Sequence, residues 1–235
     1  MCPTAWKGQF TRGDQKVPTI ILEAVASHDL WIWHVFFGVA GSNNDINVLN
    51  QSTIFLKELQ GQASRVQYMV NGNQYNIGYY LADGIYPDWA VFVKSISMPI
   101  SEKDKLFAQE QEAKRKDIER AFGVLRRRWC ILKRPALLYD GGQLEKVVLA
   151  CIVLHNMIVE DEKEEDIEEN LDLNETPSTV IVQEPEFSPE VYVPFQRVLE
   201  KDDEIRDRSA HLQLKRDLVE HIWNKNGLRR NISRV

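Results

Sequence analysis

Two acidic residues in unlike surroundings are the first candidates for chemistry. Asp83 closes an apolar run, Gly78-Tyr-Tyr-Leu-Ala-Asp-Gly84, whose Asp-Gly break puts a carboxylate at the end of an expected strand. Glu119 sits in Asp117-Ile-Glu-Arg-Ala-Phe-Gly123, inside an expected helix. Carboxylate oxygens are hard ligands that suit Mg²⁺ or Mn²⁺. Two such ions about 4 Å apart clamp the attacking and leaving oxygens of a phosphodiester. A strand-end Asp and a helix Glu are what such a phosphoryl-transfer site requires. The same two residues also read as a turn Asp and a solvated helix Glu.

The bases around Glu119 suit the first reading. Between Arg115 and Arg134 eight bases face only two acids, a concentration of charge that fits phosphate binding. Arg115, Arg120, Arg126, Arg127 and Arg128 are the candidate DNA-phosphate contacts, although an ordinary solvated helix face carries the same residues. Between Glu160 and Glu175 the balance reverses, with ten acids and one base, so the net charge of −6 hides a segregation. That acidic run either competes with DNA for the basic helix or serves as a solvated tether.

The elements that must position these groups follow from periodicity. Residues 2–14 read as a loop. Thr19 to Ala26 and Leu30 to Val39 read as two strands of a hairpin. Asn44 or Asp45 caps a helix expected to run to about Leu59. Val66 to Val70 and Tyr75 to Ala82 read as strands joined by a tight turn at Asn71-Gly72-Asn73, and Trp89 to Ile96 as another strand. Ser101 and Asp104 approximate a capping box that opens one helix to about Trp129, carrying Glu119 at the margin of its apolar face. Leu144, Val147, Val148, Cys151, Ile152, His155 and Ile158 form a helical core stripe, on which His155 reads as a buried, hydrogen-bonded histidine. Ser209 to Trp223 is an amphipathic helix ended by Gly227, followed by a basic tail over 228–234.

Bulk properties set outer bounds. A chain of 235 residues permits one large domain or two small ones, and 43% hydrophobic residues suffice for a core. No run reaches the ~18 to 20 continuous apolar residues of a membrane span, and no signal-peptide pattern opens the sequence. Cys2, Cys130 and Cys151 are scattered, which gives neither a zinc ribbon nor a disulfide framework and suits a reducing compartment.

Six blocks occur in an order that resembles the catalytic domain of the plant-type PIF/Harbinger transposases and their nuclease-like relatives. They are Cys2-Pro-Thr-Ala-Trp-Lys-Gly-Gln9, Pro18-Thr-Ile-Ile-Leu-Glu-Ala-Val-Ala26, Gly41-Ser-Asn-Asn-Asp-Ile-Asn47, Leu81-Ala-Asp-Gly-Ile-Tyr-Pro87, Ile118-Glu-Arg-Ala-Phe-Gly123 and Leu154-His-Asn-Met-Ile158. The resemblance implies an α/β, RNase H-like mixed sheet flanked by helices and a DDE triad of metal-binding acids, with Mg²⁺ or Mn²⁺ as cofactor. It makes Asp83 the second acid and Glu119 the third, and Arg115 and Arg126 match the Arg-x3-Glu-x6-Lys/Arg spacing of related transposases. DNA is the implied substrate and the nucleus the implied location. Recognition is implied to come from a helix-turn-helix or a Myb-like partner protein, and no membrane partner is expected.

In that family the first acid lies on a central strand shortly before the Cys-Pro-x-Ala-Trp-Lys-Gly block. Here that block starts beside Met1, so the expectation is a domain lacking its first strand and an impaired metal-dependent endonuclease. Asp45 stands as a substitute metal ligand, with helix capping as its structural reading. The alternative function is a domesticated, non-catalytic nuclear DNA- or protein-binding adaptor. The expected organisation is a partial nuclease domain over 1–160, an acidic and Pro-containing linker over 161–195, and a C-terminal helix with a basic tail over 196–235.

Overall fold

The computed structural model of the chain describes residues 2–3, 6–11, 18–63, 65–134, 136–138, 140–169, 181–183 and 194–232. In chain order the elements are α1 (Lys7–Phe10), β1 (Ile20–Ala26), β2 (Ile32–Ala40), α2 (Asp45–Leu49), α3 (Leu56–Leu59), β3 (Arg65–Val70), β4 (Asn73–Tyr75), β5 (Tyr80–Ala82), β6 (Phe92–Lys94), α4 (Glu102–Arg115), α5 (Asp117–Arg128), α6 (Gly141–Glu169), β7 (Ile181–Gln183), α7 (Phe195–Arg206) and α8 (Arg208–Ile232). The fold is mixed α/β, with its strands in three small sheets. The chain forms two compact units, 1–54 with 116–174 and 55–115 with 175–235.

The first unit is built on the β1–β2 hairpin, paired antiparallel from Ile20 opposite Ala40 to Ala26 opposite Ile32. Side chains alternate across a strand, so Leu22, Ala24 and Ala26 share one face and pack with Val35 and Phe37 against Ala121 and Leu125 of α5 and Val148, Cys151 and Ile152 of α6. Two polar side chains of α6 lock the hairpin. Asn156 donates from Nδ2 to the Ile32 carbonyl at 2.9 Å and accepts the Ile32 N–H at 3.0 Å, doing for Ile32 what a neighbouring strand would do. His155, fully buried as expected, donates from Nε2 to the Leu30 carbonyl at 2.9 Å. The block Leu154-His-Asn-Met-Ile158 thus ties a helix to a hairpin.

The second unit packs Val70, Val93 and Phe107 against Leu214 and Leu218 of α8. Strand β3 lies between β4 and β7. Asn71 and Gly72, at φ 51° and 82°, make the two-residue β3–β4 turn, and the left-handed pair matches the strand twist as anticipated. Strands β5 and β6 pair in parallel, with Tyr80 opposite Phe92 and Ala82 opposite Lys94.

Several expected boundaries move. The helix after Asn44 ends at Leu49 and α3 is separate. Asn44 is the cap, accepting the Asn47 N–H at 2.8 Å, and Asp45 is the first helical residue. Ser101 and Asp104 do exchange capping bonds of 3.1 and 3.3 Å. The helix they open stops at Arg115, and Lys116, at φ −65° and ψ −8°, separates it from α5, which starts at Asp117. The expected strand Tyr75 to Ala82 is two short strands in different sheets. Residues 7–10, expected as loop, form one helical turn.

Helix α6 continues through Glu169, past the start of the expected linker, while 170–180 and 184–193 lie outside the described residues. Its stretch Gly141–Lys163 is long and apolar enough, by length and composition alone, to cross a membrane, although Glu145, Lys146, His155 and Asn156 interrupt its apolar residues. On one face of that stretch Val148, Cys151 and Ile152 serve the core described above, and Leu144 is also buried. Helix α8 runs through Gly227 to Ile232, beyond the expected stop, and 233–235 of the basic tail lie outside the described residues.

Candidate functional site

Asp83 is the first residue after β5, at the carboxyl ends of a parallel strand pair, where ligands of α/β folds characteristically bind. Helix α4 holds those ends together. Gln111, 4% exposed, donates from Nε2 to the Ala82 carbonyl at 3.2 Å and the Val93 carbonyl at 3.0 Å. One buried amide therefore closes both strand ends and fixes the backbone from which Asp83 projects. The Gln111 Oε1 is buried and has no hydrogen-bond partner.

One turn further along α4, Arg115 sets its Nε 3.1 Å from Asp83 Oδ1, with the Asp83 side chain 53% exposed. The two share an open cleft of about 210 Å³ with Ser95, Ser97, Gln111 and Glu112. Ser95 donates from Oγ to Glu112 Oε1 at 3.1 Å. The cleft thus presents two carboxylates, two hydroxyls and a guanidinium. The guanidinium ligates no metal, and the remaining groups offer oxygen alone, which suits a hard divalent cation and not a zinc site of thiolates and imidazoles.

The loop from Asp83 to Phe92 is anchored at its far end. Lys94 Nζ lies 2.5 Å from Asp88 Oδ1 and donates to the Tyr86 carbonyl at 2.8 Å. Lys94 holds the Asp88 carboxyl below its ordinary range, against the opposing effect of burial. His211 of α8, 2% exposed, reaches the same loop through its Nδ1, 2.8 Å from the Phe92 carbonyl oxygen.

The remaining candidates belong to the other unit. Glu119 is exposed on α5, and Asp45 starts α2. Arg120 bonds to Asp117 at 2.7 Å but keeps 63% of its side-chain surface exposed. Arg126 and Arg127 are exposed. Arg128 is committed internally: it donates from Nη1 to His155 Nδ1 at 3.2 Å and pairs through Nη2 with Glu162, the first contact between the acidic run and the basic helix. Asp83 and Arg115 are therefore brought together, whereas Asp83 and Glu119 belong to different units. Among the described residues no three His, Cys, Asp or Glu side chains gather as a metal site.

Sequence reasoning missed Gln111, Glu112, Ser95 and Ser97. A glutamine and a glutamate in a helix rich in both carry no periodic signal. Their roles depend on which strand ends the helix crosses.

The family described as plant transposon protein matches residues 1–166. Protein ALP1-like of Arabidopsis thaliana is 26% identical over 154 residues, covering 61% of this chain and 36% of that protein. The match thus spans little more than a third of that relative's length. No solved structure matches.

Proposed function

We propose that this chain, which belongs to the plant transposon protein family, acts on DNA phosphodiester bonds as a metal-dependent, transposase-derived nuclease. The family is transposase-derived and of the DDE nuclease type. The observation that carries the reading is the position of Asp83. The residue that matches the family's second acid stands at the carboxyl end of a parallel strand pair, in an oxygen-lined cleft, beside an arginine. Chain order supports an RNase H-like arrangement: an antiparallel hairpin, a strand ending just before Asp83, a parallel neighbour, then two helices of which the second bears Glu119.

In this reading the carboxylates of Asp83 and Glu119 hold the divalent cation, Mg²⁺ or Mn²⁺. That ion, when bound, polarises the phosphoryl oxygens and activates water. Gln111 keeps the Asp83 backbone in place by clamping both strand ends. Arg115 neutralises Asp83 in the absence of other cations and places a guanidinium where a phosphate would arrive. Arg126 and Arg127 offset strand charge from α5. The same reading carries a nuclear location and a Myb-like DNA-binding protein as partner.

The test is plasmid nicking by the full chain with Mg²⁺ or Mn²⁺, compared with Asp83→Ala. Nicking that needs the metal and is lost in the variant supports the proposal. Nicking that survives Asp83→Ala contradicts it. The Asp83–Arg115 ion pair favours a second reading, a non-catalytic nuclear adaptor in which that pair is structural. A chain that binds DNA and cuts none with either metal has that function.

A further inference from the structure

Gly123 lies inside α5, well away from either end of Asp117–Arg128. Glycine is the poorest helix former after proline, because it loses the most backbone freedom on ordering. Nothing among the described residues calls for it. A Cβ added at Gly123 would meet none of their atoms within 4 Å, its chain neighbours and the helix's own backbone aside, and Gly123 is not among the glycines with positive φ. Internal packing and backbone geometry would both accept alanine there, and the helix would gain from it.

The surroundings of Gly123 give the omission of a side chain a use. Its neighbours at i−4, i−3, i+3 and i+4 are Glu119, Arg120, Arg126 and Arg127, the positions that border a residue on a helix surface. All four are exposed. Arg126 and Arg127 have no ion-pair partner among the described residues, and Arg120 remains largely exposed beside Asp117. The missing side chain thus leaves a notch in the helix surface, bordered at these four positions by three arginines and one glutamate.

We propose that this notch is where a DNA phosphate docks against α5, with Gly123 admitting it to the helix backbone and Arg126 and Arg127 flanking it. The inference rests on the DNA-directed function proposed above. Helix-interior N–H groups are already used in the helix ladder, so binding must come from the arginines. Their planar forks suit phosphate oxygens. A side chain at Gly123 would hold the phosphate away from both forks at once. The adjoining Glu119 would repel a phosphate unless such counter-charge stood beside it. An acidic polypeptide is the other anion that could use these arginines.

The experiment measures binding of the full chain to a short fluorescent duplex, by anisotropy across a salt series, for wild type, Gly123→Ala, Gly123→Leu and Arg127→Gln. Thermal melting is followed in parallel. The Gly123→Ala variant is expected to melt at or above wild type yet bind about three- to tenfold more weakly, with Gly123→Leu weaker still. The Arg127→Gln variant lowers the salt slope by about one, as loss of one phosphate contact does.

If wild type binds and both Gly123 variants bind equally well, the inference is wrong and the DNA-directed function stands. If wild type does not bind the duplex, that function fails and takes the inference with it. A lower melting temperature for Gly123→Ala would show that the glycine serves the fold. Variants that lose binding to polyglutamate while keeping the duplex would assign the notch to an acidic protein.

Discussion

Arg115 sets its guanidinium Nε 3.1 Å from the Oδ1 of Asp83, so the strand-end carboxylate on which the proposed chemistry depends already has a cation beside it. Half-exposed pairs of this kind contribute only about 0 to 1 kcal/mol to stability. Their larger consequence is competition, because a metal ion and a guanidinium draw on the same carboxylate oxygen. Replacing Arg115 by Gln should therefore leave the melting temperature nearly unchanged while tightening Mn²⁺ binding. Titration calorimetry of the two proteins reads this directly. Weaker or unchanged Mn²⁺ binding in Arg115→Gln would mean that the pair does not restrain the site.

The Gln111 clamp is a stability prediction as well as a positional one. Its Nε2 serves two strand-end carbonyls from a side chain only 4% exposed. Gln111→Leu removes the hydrogen bonds to both strand-end carbonyls, at a cost of about 1 to 3 kcal/mol. Gln111→Glu should be at least as damaging, since an ionised carboxylate cannot donate. Urea denaturation of the two variants against wild type checks the order.

In the other unit, His155 and Asn156 hold the hairpin to α6 through Leu30 and Ile32. Asn156→Ala frees an N–H and a carbonyl of Ile32, which the opposite strand does not both replace at the hairpin's end, and should cost about 1 to 3 kcal/mol. Because its contacts lie within the unit of β1, β2, α5 and α6, amide exchange should rise first over residues 26–34. Protection unchanged there would remove the anchoring role.

How much of this could be read from the sequence depended on range. The Ser101–Asp104 cap, the Asn71-Gly72 turn and the β1–β2 hairpin are set by neighbours a few positions apart, and each was legible. The stop at Arg115 was not, because the run 102–128 contains no Gly or Pro before Gly123 and its helical pattern continues unbroken across Lys116. Gly227 misled in the opposite direction: a glycine permits a helix end without requiring one. Asp83 was legible from the Asp-Gly break after an apolar run. Its setting was not, since Gln111, Glu112 and Arg115 reach it only once α4 is laid against β5 and β6.

Acid sensitivity follows from Asp29 at the hairpin turn. Burial pushes its carboxyl up, but Lys163, the Ser27 hydroxyl and the Trp31 N–H outweigh it and hold it at about 2. A carboxyl depressed in the folded state contributes stability above its unfolded pKa of ~4 and loses it as pH falls through the folded value. Stability should therefore drop between about pH 4 and pH 2, and Asp29→Asn should flatten that part of the curve. Denaturation midpoints at stepped acid pH test the sign, and equal slopes in both proteins would contradict it.

The central claim is that Asp83 and Glu119 serve one metal-dependent reaction. Cleavage rates of a labelled DNA with Mn²⁺, for Asp83→Asn, Glu119→Gln and the double variant, test it most directly. Residues that act as a unit are strongly non-additive. The account predicts that each single variant falls to background and that the double variant is no worse. Substantial cleavage in either single variant, or losses that simply multiply in the double variant, would show that the two acids do not share a site.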